Sequence, residues 1–306
     1  NWRCNYCGES GGMLSLYSRI YGVSSSDAYR EICDALRIDG YESGSRPRDR
    51  MIDGGSNRSP SAAREKHEGV PQSESASRQQ IHQTYSLMLD MLTLLPAHKA
   101  HLLSEKRGLT QEQIQKYRFR STPPPFLCRK LTESLIAKGC TVQGVPGFYL
   151  DANGKWTVNF TKRLSGILLP VVGFDGMIQG MQILLDVPFK DKNDPPDKQG
   201  AKYLWFASTT KHMGITSGSP VLFLGNPNAR TVYVTEGILK GYIGHTVMDR
   251  TFASTAGANN VKNLEALFQF LAKNGTEQII EAQDMDKYSN TMTDKGASTI
   301  YLMARQ

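Results

Sequence analysis

The chain has 306 residues, 39% of them hydrophobic and 21% charged, and 36 Lys and Arg against 29 Asp and Glu give a net charge of +7. That length holds about two domains with a sizeable core. No apolar run approaches the ~20 residues of a membrane span, no signal-like segment opens the chain, and five cysteines are too few for a disulfide scaffold. These counts argue against a transmembrane or secreted protein, make a reducing cytoplasm the expected compartment, and leave room for a polyanionic partner.

In chain order, residues 1–36 read as a small unit. Cys4 and Cys7 form a Cys-x-x-Cys turn, Gly11-Gly12 follows, and Leu14, Tyr17, Ile20 and Tyr21 take helical spacing. A cap among Ser24, Ser25 and Ser26 starts a second helix with Ala28, Ile32 and Leu36. Residues 37–79 are rich in Ser, Gly, Arg, Pro and Glu. They cannot bury enough surface to offset their ordering entropy and are expected to form a disordered linker.

From residue 80 periodicity returns. Tyr85, Leu87, Met88, Met91 and Leu92 predict one helix, broken at Pro96. His98–Arg107 predicts a second, ended by Gly108, and Thr110 with Gln113 makes the capping box of a third. Pro123–Pro125 is a rigid turn. Residues 145–235 read as mostly extended. Gly166–Val172 and Met177–Leu185 flank a turn at Phe174–Gly176 and predict a hairpin, and the polar, Pro/Gly-rich residues 186–201 predict a mobile loop. The last part alternates: a strand at Thr231–Thr235, a helix from Ile238, a strand at Thr251–Thr255, a helix carrying Leu264, Leu267, Phe268 and Leu271 up to Gly275, and a strand at Gln278–Ala282. This is the pattern of βαβ units on a parallel sheet, so the expected class is α+β overall with an α/β C-terminal part.

The acids fall at telling places. Glu236 directly follows its strand, and Asp284 and Asp286 follow the third strand. Functional crevices of open α/β sheets lie at the carboxyl ends of the strands. Carboxylates that close repel one another, and a divalent cation removes the conflict. These residues therefore predict a Mg²⁺ site that handles phosphates, the alternative being that each acid caps a helix at a βα turn. Cys4 and Cys7 could supply half of a tetrahedral zinc site, with a redox pair or chance spacing as alternatives. Cys33, Cys128 and Cys140 read as buried or free thiols. The six histidines show no metal spacing. His98 and His101 share a helix face with no evident carboxylate or cysteine partner, and they and His245 read as structural. Tyr203, Trp205 and Phe206 could stack bases or fill a core. No Walker-type phosphate loop occurs in the sequence.

These residues carry a resemblance. Val-Tyr-Val-Thr-Glu236-Gly237, Ala-Gly257-Ala-Asn and Gln-Asp284-Met-Asp286-Lys resemble the TOPRIM domain of bacterial-type primases, topoisomerases and some nucleases. The resemblance implies that Glu236, Asp284 and Asp286 hold Mg²⁺ and are the catalytic residues, with the Glu as a general acid/base. The family's primases place an Asp four residues after the Glu, where this chain has Lys240. Trp2 to Gly12, with the helices after it, resembles the primase zinc finger, which implies zinc at Cys4 and Cys7. Arg107-Gly108-Leu109-Thr110, the strand from Gly166 to Pro170, and Lys202-Tyr203-Leu204-Trp205 resemble the middle region of primase-like proteins of phages and conjugative elements. By that resemblance Lys202 and Lys211, with Arg163 and Lys240, contact phosphates.

The implied layout is a partial, zinc-ribbon-like finger at 1–36, the linker at 37–79, a helical and mixed α+β middle region at 80–225, and a Rossmann-like TOPRIM domain with a parallel sheet at 226–306. The chain opens on Asn1, and a Cys/His pair is expected upstream, with a further acidic motif and a closing strand beyond Gln306. The implied function is that of a DNA primase, a DNA-directed RNA polymerase making short RNA primers for a mobile element. Zn²⁺ and Mg²⁺ are the implied cofactors. The implied partners are single-stranded DNA template, ribonucleoside triphosphates and a replicative helicase, with no membrane. The alternatives are a DNA-binding module with a degenerate TOPRIM domain and a TOPRIM nuclease.

Overall fold

A computed structural model describes residues 2–3, 10–11, 17–18, 70–191, 195, 199–258, 260–261, 263–284 and 291–305. The chain divides into two units, Asn1–Arg64 and Glu65–Gln306. In the first, β1 (Trp2–Arg3) pairs antiparallel with β2 (Ser10–Gly11). Cys4 and Cys7 fall between these strands in sequence and lie, with Cys33 and residues 37–69 of the expected linker, outside the described residues.

The second unit starts before the expected end of the linker. Pro71 accepts a hydrogen bond from the Met213 N–H at 2.6 Å, Ser73 Oγ donates to the Met213 carbonyl, and the Ala76 N–H donates to Gly144 at 2.8 Å. A Cβ on Gly144 would stand 2.2 Å from the Glu74 carbonyl oxygen, so only glycine permits this approach. Residues 70–77 thus depart from the expectation of a disordered linker through 79. Their backbone groups find partners in the folded body, which composition does not reveal.

Helix α1 (Arg78–Met91) opens with a Ser77–Gln80 capping box and buries Ile81, Tyr85, Met88 and Leu89 at helical spacing. Helix α2 (Pro96–Leu103) starts at Pro96, where a missing N–H is free of cost. Helix α3 (Gln111–Lys116) carries the expected Thr110–Gln113 box. Strand β3 (Arg120–Ser121) leads to α4 (Cys128–Ala137), which buries Cys128, Leu131 and Leu135, and then to the hairpin β4 (Phe148–Leu150) and β5 (Trp156–Val158).

Next come β6 (Gly166–Val172), β7 (Ile178–Phe189) and β8 (Ala201–Trp205), which join β3 in an antiparallel sheet of order β3-β6-β7-β8. The expected hairpin is β6–β7, but β7 runs on to Phe189, which pairs with Ala201, so the ends of the expected 186–201 loop are strand. Both faces of this sheet are covered. Leu168 of β6 with Met181 and Ile183 of β7 packs with α1 and α4, whereas Ile167, Leu169 and Val171 face α2, α3 and the first helix of the C-terminal part.

That part contains β9 (Leu222–Leu224), β10 (Thr231–Glu236), α5 (Ile238–Met248), β11 (Phe252–Thr255), α6 (Leu264–Lys273), β12 (Gln278–Glu281) and α7 (Thr291–Ala304). The sheet order is β12-β10-β11-β9, with β10 parallel to both neighbours and β9 antiparallel at the edge. Strand β9 precedes the expected boundary at 226 because it covers the β11 edge. Val232, Val234 and Ala253 are buried, as parallel strands covered on both faces require. Helix α5 packs on one face with Leu222, Ile167 and Leu169. Leu264, Leu267, Phe268 and Leu271 of α6, with Ile300 of α7, pack on the other. No helix among the described residues is long and apolar enough to cross a membrane.

Candidate functional site at the strand ends

The two chain segments that leave β10 and β12 diverge. β10 turns into α5 on one face, and β12 leads toward α7 on the other. Neighbouring strands whose connections part in this way open a crevice at their carboxyl ends, the topological switch point of an open sheet. Glu236 is the last residue of β10, and Asp284 lies just past β12. The parallel register sets Val234 opposite Glu281, so strands far apart in sequence bring the two acids to one rim. Between β10 and α5 the chain turns at Gly237 with φ of 80°, a conformation that favours glycine.

Lys240, on the first turn of α5, reaches both acids. Its Nζ is 3.3 Å from Glu236 Oε1 and 2.5 Å from Asp284 Oδ2. The side chain of Glu236 is 15% exposed, those of Lys240 and Asp284 47% and 54%. Burial pushes the Glu236 carboxyl above its ordinary range, and a hydrogen bond with Asp284 adds to this against the pull of Lys240. Asp284 is held below its ordinary value, chiefly by the hydrogen bond from Lys240. Burial opposes the charge on Lys240, but the two carboxylates outweigh it and raise its ammonium above the ordinary lysine value. The two neighbouring carboxyls are thus shifted in opposite directions.

The donors suit a hard divalent cation, since both are carboxylate oxygens at a solvent-accessible rim. Asp286 lies outside the described residues, and among the described residues no group of three or more His, Cys, Asp or Glu could hold a metal ion. Lys240 stands in the gap between the two acids that are described.

The other expected residues lie elsewhere. Lys202 is exposed on β8. Lys211 lies over the Tyr149 ring, 5.6 Å from its centroid, and Arg163 over Phe189 at 5.3 Å. None of these three bonds to Glu236, Lys240 or Asp284. Of the aromatic trio, Phe206 is core, stacked on Phe160 at 4.7 Å, and Tyr203 and Trp205 pack against the cluster around α5. Cys128 and Cys140 are buried free thiols.

His98 has the carboxylate partner that the sequence did not show. Its Nε2 is 2.7 Å from Asp186 Oδ1 and its Nδ1 2.7 Å from Ser121 Oγ, which also accepts the Leu95 N–H. A serine hydroxyl that donates to Nδ1 leaves the imidazole proton on Nε2, facing Asp186, so every polar atom is paired. A second feature absent from the sequence reading is a cavity of about 600 Å³ lined by His82, Lys116, Arg118 and His245, together with Asp249. These side chains come from separate segments and share no motif.

No family model and no curated protein matches this chain. Solved structures do. They show a likeness of fold, to domains of DnaG primases. The RNA polymerase domain of Mycobacterium tuberculosis primase DnaG in complex with double-stranded DNA matches with a TM-score of 0.51 and 16% identity, over 72% of this chain and 68% of that one. The same domain in complex with a double-stranded DNA oligomer with a 6-nucleotide overhang gives 0.49 and 15%, over 71% and 67%. A DnaG primase catalytic domain bound to ssDNA gives 0.45 and 18%, over 73% and 67%.

Proposed function

We propose that this chain is a DNA primase-like protein that joins ribonucleotides into short primers on single-stranded DNA in the replication of a phage or conjugative element. The observation that carries the reading is the meeting of Glu236 and Asp284 at the switch point of the sheet, within a fold like that of DnaG primase domains. Glu236, Asp284 and Asp286 are the residues that would hold Mg²⁺ in a TOPRIM-type site, and Cys4 and Cys7 belong to the proposed zinc finger. Magnesium, when bound, neutralises triphosphate charge and orients the phosphates.

The chain's own groups supply the rest. Asp284, whose carboxyl is held below its ordinary value chiefly by the hydrogen bond from Lys240, favours its anionic form at the rim. Glu236, whose carboxyl is raised by burial, is the proposed general acid/base. The first N–H groups of α5 have no intrahelical partners, and the helix dipole favours negative charge at that end. Lys202, exposed on β8, is the proposed outlying phosphate contact.

The test is synthesis by the full chain with Mg²⁺, ribonucleoside triphosphates and single-stranded template. Short RNA products are expected, reduced at least about 100-fold by Asp284→Asn, the scale of losing a main electrostatic group. One observation favours a second reading, a DNA-binding module without synthesis: Lys240 already neutralises part of the acid pair. Template binding that survives Asp284→Asn, with no product at any metal concentration, would establish the module instead.

A further inference from the structure

We propose that Lys240 is a tethered counter-ion that competes with the divalent cation for the gap between Glu236 and Asp284, so that the wild-type site binds metal weakly until the ammonium is displaced. This rests on the reading of the crevice as a cation site. The geometry is specific. Lys240 is four residues past Glu236, and its stem passes over Gly237, with Cγ and Cδ 3.7 Å from where a Cβ would stand. That route carries Nζ to 2.5 Å from Asp284 while keeping it 3.3 Å from Glu236. A cation between two carboxylates relieves the same repulsion that a metal ion would relieve.

The charge arithmetic follows from the residue types. Two carboxylates and one ammonium sum to −1, where an acid at position 240 would make −3. An incoming dication therefore meets a weaker field and must also evict a charge of its own sign. Eviction is feasible, because Lys240 is 47% exposed and its ammonium can turn to water without being stranded in the interior. Displaced, it still offers three donors to phosphate oxygens.

The experiment is a Mn²⁺ titration of the full chain, without nucleotide, followed by calorimetry and by the electron paramagnetic resonance of free Mn²⁺. Lys240→Gln is expected to bind about tenfold more tightly than wild type, the change that one relieved charge interaction brings. Lys240→Asp should bind more tightly again, and Asp284→Asn should lose binding. Thermal melting checks that each variant is folded. Equal affinity in wild type, Lys240→Gln and Lys240→Asp, with loss in Asp284→Asn, overturns the role of Lys240 and leaves the metal reading standing. Absence of Mn²⁺ binding in every folded variant, Lys240→Asp included, overturns the metal reading and the competition with it.

Discussion

The antiparallel sheet and the rim of the parallel sheet both hold charged and polar side chains, but they treat them differently. Around β3, β6 and β7, His98, Ser121 and Asp186 form a closed chain in which each polar atom has a partner, and Ser165 donates to the far oxygen of Asp186 at 2.5 Å. At the ends of β10 and β12, two acids share one half-exposed lysine, and burial raises the carboxyl of one of them. A closed network holds elements together. Two carboxylates brought together at a rim repel one another unless a cation lies between them, and such a cluster is a functional-site candidate. A serine, histidine and aspartate within hydrogen-bond reach are therefore here a brace, and the two acids that share Lys240 are the candidate site.

The largest way to break this contrast is to remove what joins the two sheets. Tyr242 of α5 is buried, meets Tyr117 and Phe119 at 4.6 and 4.9 Å, and donates to the Pro170 carbonyl of β6. Tyr242→Ala is expected to cost about 3–5 kcal/mol, read as a lower midpoint in urea, while Tyr242→Phe, which loses only the hydrogen bond, should cost about 1 kcal/mol. Next, His98→Ala leaves Ser121 without its ring partner and Asp186 Oδ1 without its ring contact, and should cost about 1–3 kcal/mol by the same measurement.

The rim should behave in the opposite way. The raised Glu236 carboxyl means that the folded state gains stability as pH falls through the folded value, and that its charge opposes folding at neutral pH. Glu236→Gln should therefore leave the melting temperature at pH 7 unchanged or higher, and a loss above about 1 kcal/mol would place Glu236 with the braces. The smallest effect concerns Asp151, held below its ordinary 3.8 first by the Lys155 N–H, then by the Asn153 N–H and Arg129. Its contribution is present above the unfolded value and fades as pH falls through the folded one. Asp151→Asn should flatten the acid limb of a stability profile below about pH 4 and change little at pH 7.

The same contrast explains what could be read from residues alone. The strands Thr231–Thr235 and Gln278–Ala282 announce themselves by β-branched and apolar runs, and the helix of Leu264, Leu267, Phe268 and Leu271 by its spacing. The places of Glu236 and Asp284, at the end of one strand and just past another, were legible because strand ends follow from the strands. Other features are products of the fold. His98 and Asp186 stand 88 residues apart, and nothing local joins them. Helix α4 presents a narrow apolar stripe, Cys128, Leu131 and Leu135, among Lys, Thr and Ser. The three-residue strand β9 owes its state to the β11 edge beside it. Phe206 lies just past the end of β8, where spacing alone leaves base stacking open, yet its ring is enclosed by Tyr85, Phe148 and Phe160. The sequence marked Lys240 as a departure from the acid of the resembling primases, while its reach across to Asp284 required the neighbouring strand.

The most direct measurement of the central claim is a crystal of this chain soaked with Mn²⁺ and a ribonucleoside triphosphate, with anomalous scattering used to locate the metal. The account predicts a peak coordinated by Glu236 and Asp284, triphosphate oxygens on the same ion, and Lys240 turned out of the gap. A triphosphate bound away from this rim, with no peak there and Lys240 still bridging the two acids, would contradict it.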